Sequence, residues 1–301
     1  MFNRILVPLD GSSFGEHALP WAQSIARRAE ARIELVHVYQ PAGLPETAWA
    51  DQAYEQGKQK AQAYLECVVE RLKPSTRFGV EATLLEGHVA ERLLKQVNET
   101  GADLIVLTTH GRGSLSRYWL GSVADELIRR ATVPLLMVRP QEEAADLTDE
   151  LAVRRILIPL DGSPFAEQIL EPAMALGTLM QTEYRLLRVV APTVASGPDP
   201  WFSPPLHVPD QDVQSQAQTY LERISERMQE GNSRTVGAHV KSALHSGPAI
   251  LEDVQGHDVN LIALSTHGRS GITRWVMGSV ADKVVRGAAV PVLAYRPSST
   301  S

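Results

Sequence analysis

Two loops in the chain combine the residue types that hold an anion. The first opens with His110-Gly111, passes Arg112 and Arg117, and closes with Gly121-Ser122 ahead of an amphipathic segment. The second has the same layout: His267-Gly268, then Arg269 and Arg274, then Gly278-Ser279. Glycine lets backbone amides come close to a bound group. A helix start supplies unpaired N–H groups and the positive end of a dipole. A serine there either caps the helix or offers its hydroxyl to a phosphate. The pattern reads as a phosphate cradle, set against a plain β–α turn with a serine N-cap.

Other chemistries are weaker. His110 and His267 are candidate general bases. Each lacks a sequence-local partner to orient it, although Asp10 could supply one in the fold. The simpler reading is a loop histidine touching phosphate or backbone. The 9 histidines show no H-x-x-x-H spacing, and the single cysteine, Cys67, makes neither a thiolate metal site nor a disulfide. No G-x-x-x-x-G-K-[ST] occurs, and no G-x-G-x-x-G follows a first strand, so the usual phosphate loops are excluded. Glu55, Lys58, Lys60, Glu66, Glu70 and Arg71 read as a solvated helix face.

The elements that must position the loops are written twice. Residues 4–14, RILVPLDGSSF, and 155–165, RILIPLDGSPF, agree at nine of eleven positions. Residues 109–125 and 266–282 agree at ten of seventeen. The offset grows from 151 to 157 between these blocks, so the second copy carries an insertion of six. The stretch 191–209, with six prolines, is its expected place, as an irregular or extended loop. Residues 141–150 hold five acids and no base, which suits a solvated linker. The expected domains are 1–147 and 148–301.

Each half alternates short apolar runs with helical stretches. The expected strands are Ile5–Leu9, Arg32–Tyr39, Phe78–Leu85, Leu104–Thr108 and Leu135–Val138, then Ile156–Leu160, Tyr184–Val190, Thr235–Leu244, Leu261–Leu264 and Val292–Tyr295. Ser12 or Ser13 is the expected cap of a helix running to Ala29. Runs that are apolar without alternation suit strands covered on both faces, and helical crossovers make them parallel. The expected fold is α/β: two tandem, doubly wound, five-stranded parallel-sheet domains. Ligands of such sheets sit beyond the C-terminal strand ends, where strand order reverses. Asp10, Asp161, Val38, Val189 and both loops fall there.

Composition is that of a globular chain. The protein has 301 residues, 44% hydrophobic, with 29 basic against 35 acidic residues and a net charge of −6. Disorder is excluded, and a dedicated nucleic-acid binder would carry a basic face. No apolar run is long enough for a membrane span. The start of the chain, interrupted by Pro8 and Asp10, does not read as a signal peptide. The expected compartment is the cytoplasm.

These residues resemble the universal stress protein family in its tandem two-domain form. The likeness runs through nearly the whole chain: Pro8-Leu9-Asp10-Gly11-Ser12, Leu35-Val36-His37-Val38, Thr109-His110-Gly111-Arg112, Gly121-Ser122-Val123-Ala124-Asp125 and Val133-Pro134, with PLDGS, THGR, GSVAD and Val-Pro repeated in the second half. It implies Rossmann-like domains of the adenine-nucleotide α-hydrolase-like type, binding ATP with or without Mg²⁺. It implies that Asp10, Val38, Asp161 and Val189 lie at the adenine. Gly111, Gly121, Ser122, Gly268, Gly278 and Ser279 would hold the phosphates. Pro8, Thr108, His110, Arg112, Val123, Pro159, Ser265, His267, Arg269 and Val280 complete the candidate cofactor-binding set. Thr108 and Ser265 stand where the family's loop begins with glycine. A position requiring positive φ would strain threonine there; one requiring only a small or hydroxylated residue would not.

Three functions follow as expectations. The first is a stress-response protein binding adenine nucleotide in each half, regulatory rather than catalytic. The second is a scaffold without nucleotide, its halves paired as a pseudo-dimer, which the family resemblance implies runs through Leu135–Val138 and Val292–Tyr295, with a further homodimer left open. The third is a slow ATPase using His110 and His267. No catalytic residue is assigned and no dedicated metal ligand is expected.

Overall fold

The computed structural model describes residues 2–40, 48–110, 120–148, 151–195, 206–208, 210–230, 234–267 and 277–296. The chain clusters into two compact units, Met1–Ala152 with Pro291–Arg296, and Val153–Val290 with Pro297–Ser301.

The first unit alternates strand and helix: β1 (Arg4–Pro8), α1 (Leu19–Ala29), β2 (Arg32–Tyr39), α2 (Ala48–Leu72), β3 (Val80–Glu86), α3 (Val89–Thr100), β4 (Leu104–Thr108), α4 (Ser122–Arg130) and β5 (Leu135–Val138). The strands lie in the order β5-β4-β1-β2-β3, all parallel. Ile5, Leu6 and Val7 are fully buried, as are Ile33, Leu35, Ile105 and Val106. Consecutive buried side chains on one strand mean that both faces are covered, which is why these runs do not alternate. Strand order reverses between β1 and β4. The C-terminal ends of those strands, Pro8 and Thr108, therefore flank the crevice where such folds take ligands.

The second unit repeats the plan: β6 (Arg155–Pro159), α5 (Pro164–Glu167), α6 (Leu170–Met180), β7 (Glu183–Val190), β8 (Thr193–Ala195), β9 (Leu206–Val208), α7 (Gln211–Gln229), β10 (Val236–Ser242), α8 (Ser246–Gly256), β11 (Leu261–Ser265) and α9 (Ser279–Gly287). Its sheet reads β10-β7-β6-β11, with β6 paired in parallel to β7 and β11. A last strand, β12 (Val292–Tyr295), belongs to the first unit and lies antiparallel on β5, Val292 opposite Met137.

Two local expectations change. The proline-rich insertion is not wholly irregular: its ends pair as the antiparallel strands β8 and β9, Thr193 opposite Val208. The helix expected directly after β1 is divided into a 3-10 turn over Gly15–Ala18 and then α1. Neither Ser12 nor Ser13 is the N-cap: that place falls to Phe14 for the turn and Ala18 for α1, without side-chain cap bonds; Ser12 Oγ still accepts from the Gly15 N–H at 3.2 Å. The acidic stretch after β5 is mostly exposed, and Asp146 accepts from Thr148 N–H and Oγ–H at 2.8 and 2.7 Å. These bonds hold the Asp146 carboxyl below its usual range. Among the described residues no helix is long and apolar enough to cross a membrane.

Candidate functional site

Each crevice starts from a carboxylate fixed by its own turn. In the first half Asp10 Oδ1 accepts from Ser12 N–H at 3.0 Å and from Ser12 Oγ–H at 2.6 Å. In the second, Asp161 Oδ1 accepts from Ser163 N–H at 2.9 Å and from Ser163 Oγ–H at 2.6 Å. Ser163 Oγ in turn accepts from Ala166 N–H at 3.2 Å, capping α5. Both turns pass through a glycine with positive φ, 82° at Gly11 and 89° at Gly162, where a side chain would be strained. The motif Asp-Gly-Ser thus aims one carboxylate from each first strand end.

Facing it is a helix start. The residue before α4 is Gly121, φ −58° and ψ 149°, whose N–H donates to Thr109 O at 2.8 Å. The residue before α9 is Gly278, φ −59° and ψ 142°, donating to Thr266 O at 2.9 Å. A Cβ on either glycine would stand 3.2 Å from that carbonyl oxygen. Close approach, rather than positive φ, therefore explains these two glycines. Ser122 and Ser279 are the first helical residues and make no cap bond. The serine N-cap reading is set aside, because glycine occupies the cap in both halves. Both serines are exposed. The first helical N–H groups, Ser122 to Ala124 and Ser279 to Ala281, have no intrahelical acceptor and carry the positive dipole end.

Between carboxylate and helix lies Thr108, the last residue of β4. The described non-glycine residues with positive φ are Glu30, Gln181 and Asp258, so neither Thr108 nor Ser265 is strained. Thr108 Oγ1 donates to His110 O at 2.8 Å. Of the two alternatives at this position, the one requiring positive φ is therefore removed. His110 Nδ1 shares a 3.0 Å hydrogen bond with Thr109 Oγ1, and His267 Nδ1 shares one of 2.9 Å with Thr266 Oγ1. Burial, with help from Arg139, lowers the His110 pKa below its usual value. The neighbouring threonine, rather than Asp10, orients the His110 ring. Its Nε2 is buried with no hydrogen-bond partner among the described residues.

In the first half a cavity of about 890 Å³ gathers Pro8, Asp10, Val38, Thr108, His110, Gly121, Ser122 and Val123. In the second a cavity of about 320 Å³ gathers Pro159, Asp161, Val189, Ser265, His267, Gly278, Ser279 and Val280. Gly111, Arg112, Arg117, Gly268, Arg269 and Arg274 lie outside the described residues.

The sequence reading missed the contribution of α2. Gly57, Lys60, Ala61 and Tyr64 all line the first cavity. Lys60, read as part of a solvated face, is a lining residue, whereas Lys58 on that face pairs with Glu86 at 2.6 Å. Tyr64 donates to Glu16 Oε1 at 3.2 Å, and Arg71 holds the other oxygen at 2.8 Å. Burial pushes the Tyr64 phenol up, reinforced by Glu16. Tyr220, Glu167 and Arg227 repeat this clasp at 3.1 and 2.8 Å. The recurrence of tyrosine, 64 and 220, was the available signal.

The cavity fits a molecule with an anionic end and a flat apolar end. Helix N-termini and glycines face the former, while Val36, Val38, Leu93 and Leu107 wall the latter. Among the described residues no group of three His, Cys, Asp or Glu is placed to hold a metal.

Comparison with known proteins places the chain among relatives. A sequence model described as the universal stress protein family matches residues 1–139 and again 152–296. A universal stress protein of Mycobacterium tuberculosis is 26% identical over 303 residues, covering 98% of this chain and 97% of the relative. One from Mycolicibacterium smegmatis is 26% identical over 300 residues, covering 97% of each. The fold is similar to that of a universal stress protein from Archaeoglobus fulgidus, with a TM-score of 0.69 at 18% identity, covering 98% of this chain and 96% of that one.

Proposed function

The chain belongs to the universal stress protein family, and from that premise we propose that it binds an adenine nucleotide, ATP, in the crevice of each half, as a cytoplasmic regulatory module. One observation carries the reading: each half sets a turn-fixed aspartate opposite a glycine-opened helix N-terminus across one cavity. The phosphates would take the N–H groups leading α4 and α9, with Ser122 and Ser279 offering hydroxyls. The base would lie against Val38 or Val189 near Asp10 or Asp161. Mg²⁺ would arrive with the phosphates, since it needs few protein ligands of its own. Occupancy of the crevices is then the signal passed to a partner.

Purification without added nucleotide, followed by denaturation and mass spectrometry of the released small molecules, tests the reading. ATP, ADP or AMP in the supernatant is expected. Their absence, together with no calorimetric binding of added ATP, sinks it.

A second reading, slow hydrolysis, draws on one feature: the buried Nε2 of His110 in the cavity wall. His110→Ala with His267→Ala would then lower phosphate release. An unchanged rate removes both as catalysts.

A further inference from the structure

We infer that Arg188 makes the two crevices unequal, by occupying in the second half the chamber that remains open beside His37 in the first. This rests on the nucleotide reading and asks which crevice takes the base more readily. His37 and Arg188 hold the same position. Pro8 pairs with Val36, and Pro159 pairs with Leu187, in matching registers; the next residue of the second strand is His37 in one half and Arg188 in the other. The His37 ring is drawn toward its own sheet, Nδ1–H donating to Leu9 O at 2.8 Å. It meets Tyr64 only edge-on, with centroids 6.4 Å apart. Between them the cavity runs back to α2, where Gly57, Lys60 and Ala61 line it.

Arg188 is longer and lies differently. Its Cζ stands 5.0 Å from the centre of Tyr220, the counterpart of Tyr64 in the repeated clasp. It also lies close to Gly162: a Cβ there would meet Cζ and Nη2 at 3.1 Å and Nη1 at 3.2 Å. The guanidinium thus reaches both the Asp-Gly-Ser turn and the tyrosine of α7. The second cavity does not extend to this contact: neither Arg188 nor Gly162 is in its lining. Leu187 and Val189 represent β7 in its lining, and no residue of α7 does. Its volume is about 320 Å³ against 890 Å³. A purine entering this crevice must first lift a cation off an aromatic face. In the first half no such step is needed.

The test is calorimetric titration of ATP into the full chain and its variants. The wild type should show one tight site per chain and a second at least tenfold weaker. Arg188→His should bring the second site within about threefold of the first. Arg188→Ala should do the same by emptying the chamber, and guards against an effect peculiar to histidine. His37→Arg should weaken the tight site at least tenfold. Two equal sites in the wild type, or two unequal sites unmoved by both Arg188 variants, would overturn the inference and leave the nucleotide reading standing. No ATP bound by any form would overturn that reading itself, and the inference with it.

Discussion

Asp10 and Asp161 hold their serine hydroxyls at the same 2.6 Å, in turns of matching backbone, whereas His37 and Arg188 share nothing but their place in the sheet. The same contrast recurs deeper in each half. Behind the crevice the first half buries Glu34, which accepts from Gln96 and from Thr83 at 3.3 Å. At the matching place the second half has the part-buried Arg185, which grips the buried Asp253 through two bonds of 2.6 and 2.9 Å. A duplicated frame keeps what the backbone builds: the Asp-Gly-Ser turn, the glycine before the helix, the order of strands. Side chains that fill the space between frame elements have changed in sets: Glu34 with Gln96 and Arg4 in one half, Arg185 with Asp253 in the other. The helix-start end of each crevice is shared, and the end beside His37 or Arg188 is not.

The largest effect should come from breaking the buried pair. Burial favours the neutral Asp253 carboxyl, but the Arg185 bonds and charge outweigh it and hold its pKa below the usual range. Asp253→Ala removes both carboxylate bonds from the part-buried Arg185 guanidinium, leaving it His257 Nε2 at 3.3 Å, and should cost about 1.5–3 kcal/mol. Gln96→Ala in the first half should cost about 1–2 kcal/mol. Urea unfolding of both variants measures the difference, and equal losses would break the comparison. Because its pKa is depressed, Asp253 contributes stability at neutral pH that is lost as pH falls through its folded pKa, below about 3.9.

Next come the glycines that the two halves share. Gly121→Val and Gly278→Val would fill the space beside Thr109 O and Thr266 O. Each should weaken ATP at least tenfold in its own crevice, read by calorimetry. Ser163→Ala should cost about 1 kcal/mol, the usual loss of a cap, and Ser12→Ala about 1 kcal/mol through its lost bonds to Asp10 and the Gly15 N–H. Near-equal losses by thermal unfolding would sharpen the view that this turn is common to both halves.

Thr108→Gly should cost about 0.5–1 kcal/mol as a strand glycine and gain nothing in ATP affinity. A tenfold gain in the glycine variant of both Thr108 and Ser265 would instead favour the scaffold reading. The smallest effect is on pH. His110 resists protonation through burial and Arg139, and His239 does so through burial and Arg185. The unfolded chain takes up those protons more readily, so stability should decline as pH falls below about 6.5. Unfolding midpoints at pH 7 and 5.5 should differ less in His110→Gln than in the wild type.

Much of the fold was legible because the repeat doubles each signal. Arg32–Tyr39, Leu104–Thr108, Leu135–Val138 and Val292–Tyr295 keep the same bounds in the structure. The parallel sense of the strands within each domain follows from helical crossovers once the elements are placed. The pairing of β12 with β5 was expected only through family resemblance, without its antiparallel sense, because a four-residue apolar strand does not name its neighbour. The short pairing of β8 with β9 was hidden by prolines, which mark a loop and do not forbid its ends from meeting. At the site, residues close to the repeated motifs were legible and the long helix was not. Lys60 and Tyr64 reach the cavity from α2, far from any motif, and helix periodicity does not say which polar residues border a cleft. Arg188 was illegible for a related reason: its meaning lies in the contrast with His37, which only the strand register brings out.

If both halves offer ATP a crevice on one frame, of unequal strength, hydrogen exchange during an ATP titration shows it at the N–H groups of Ser122–Ala124 and Ser279–Ala281. Protection should appear first at Ser122–Ala124 and, at least tenfold higher in ATP, at Ser279–Ala281. Exchange at both helix starts unchanged by saturating ATP would contradict it.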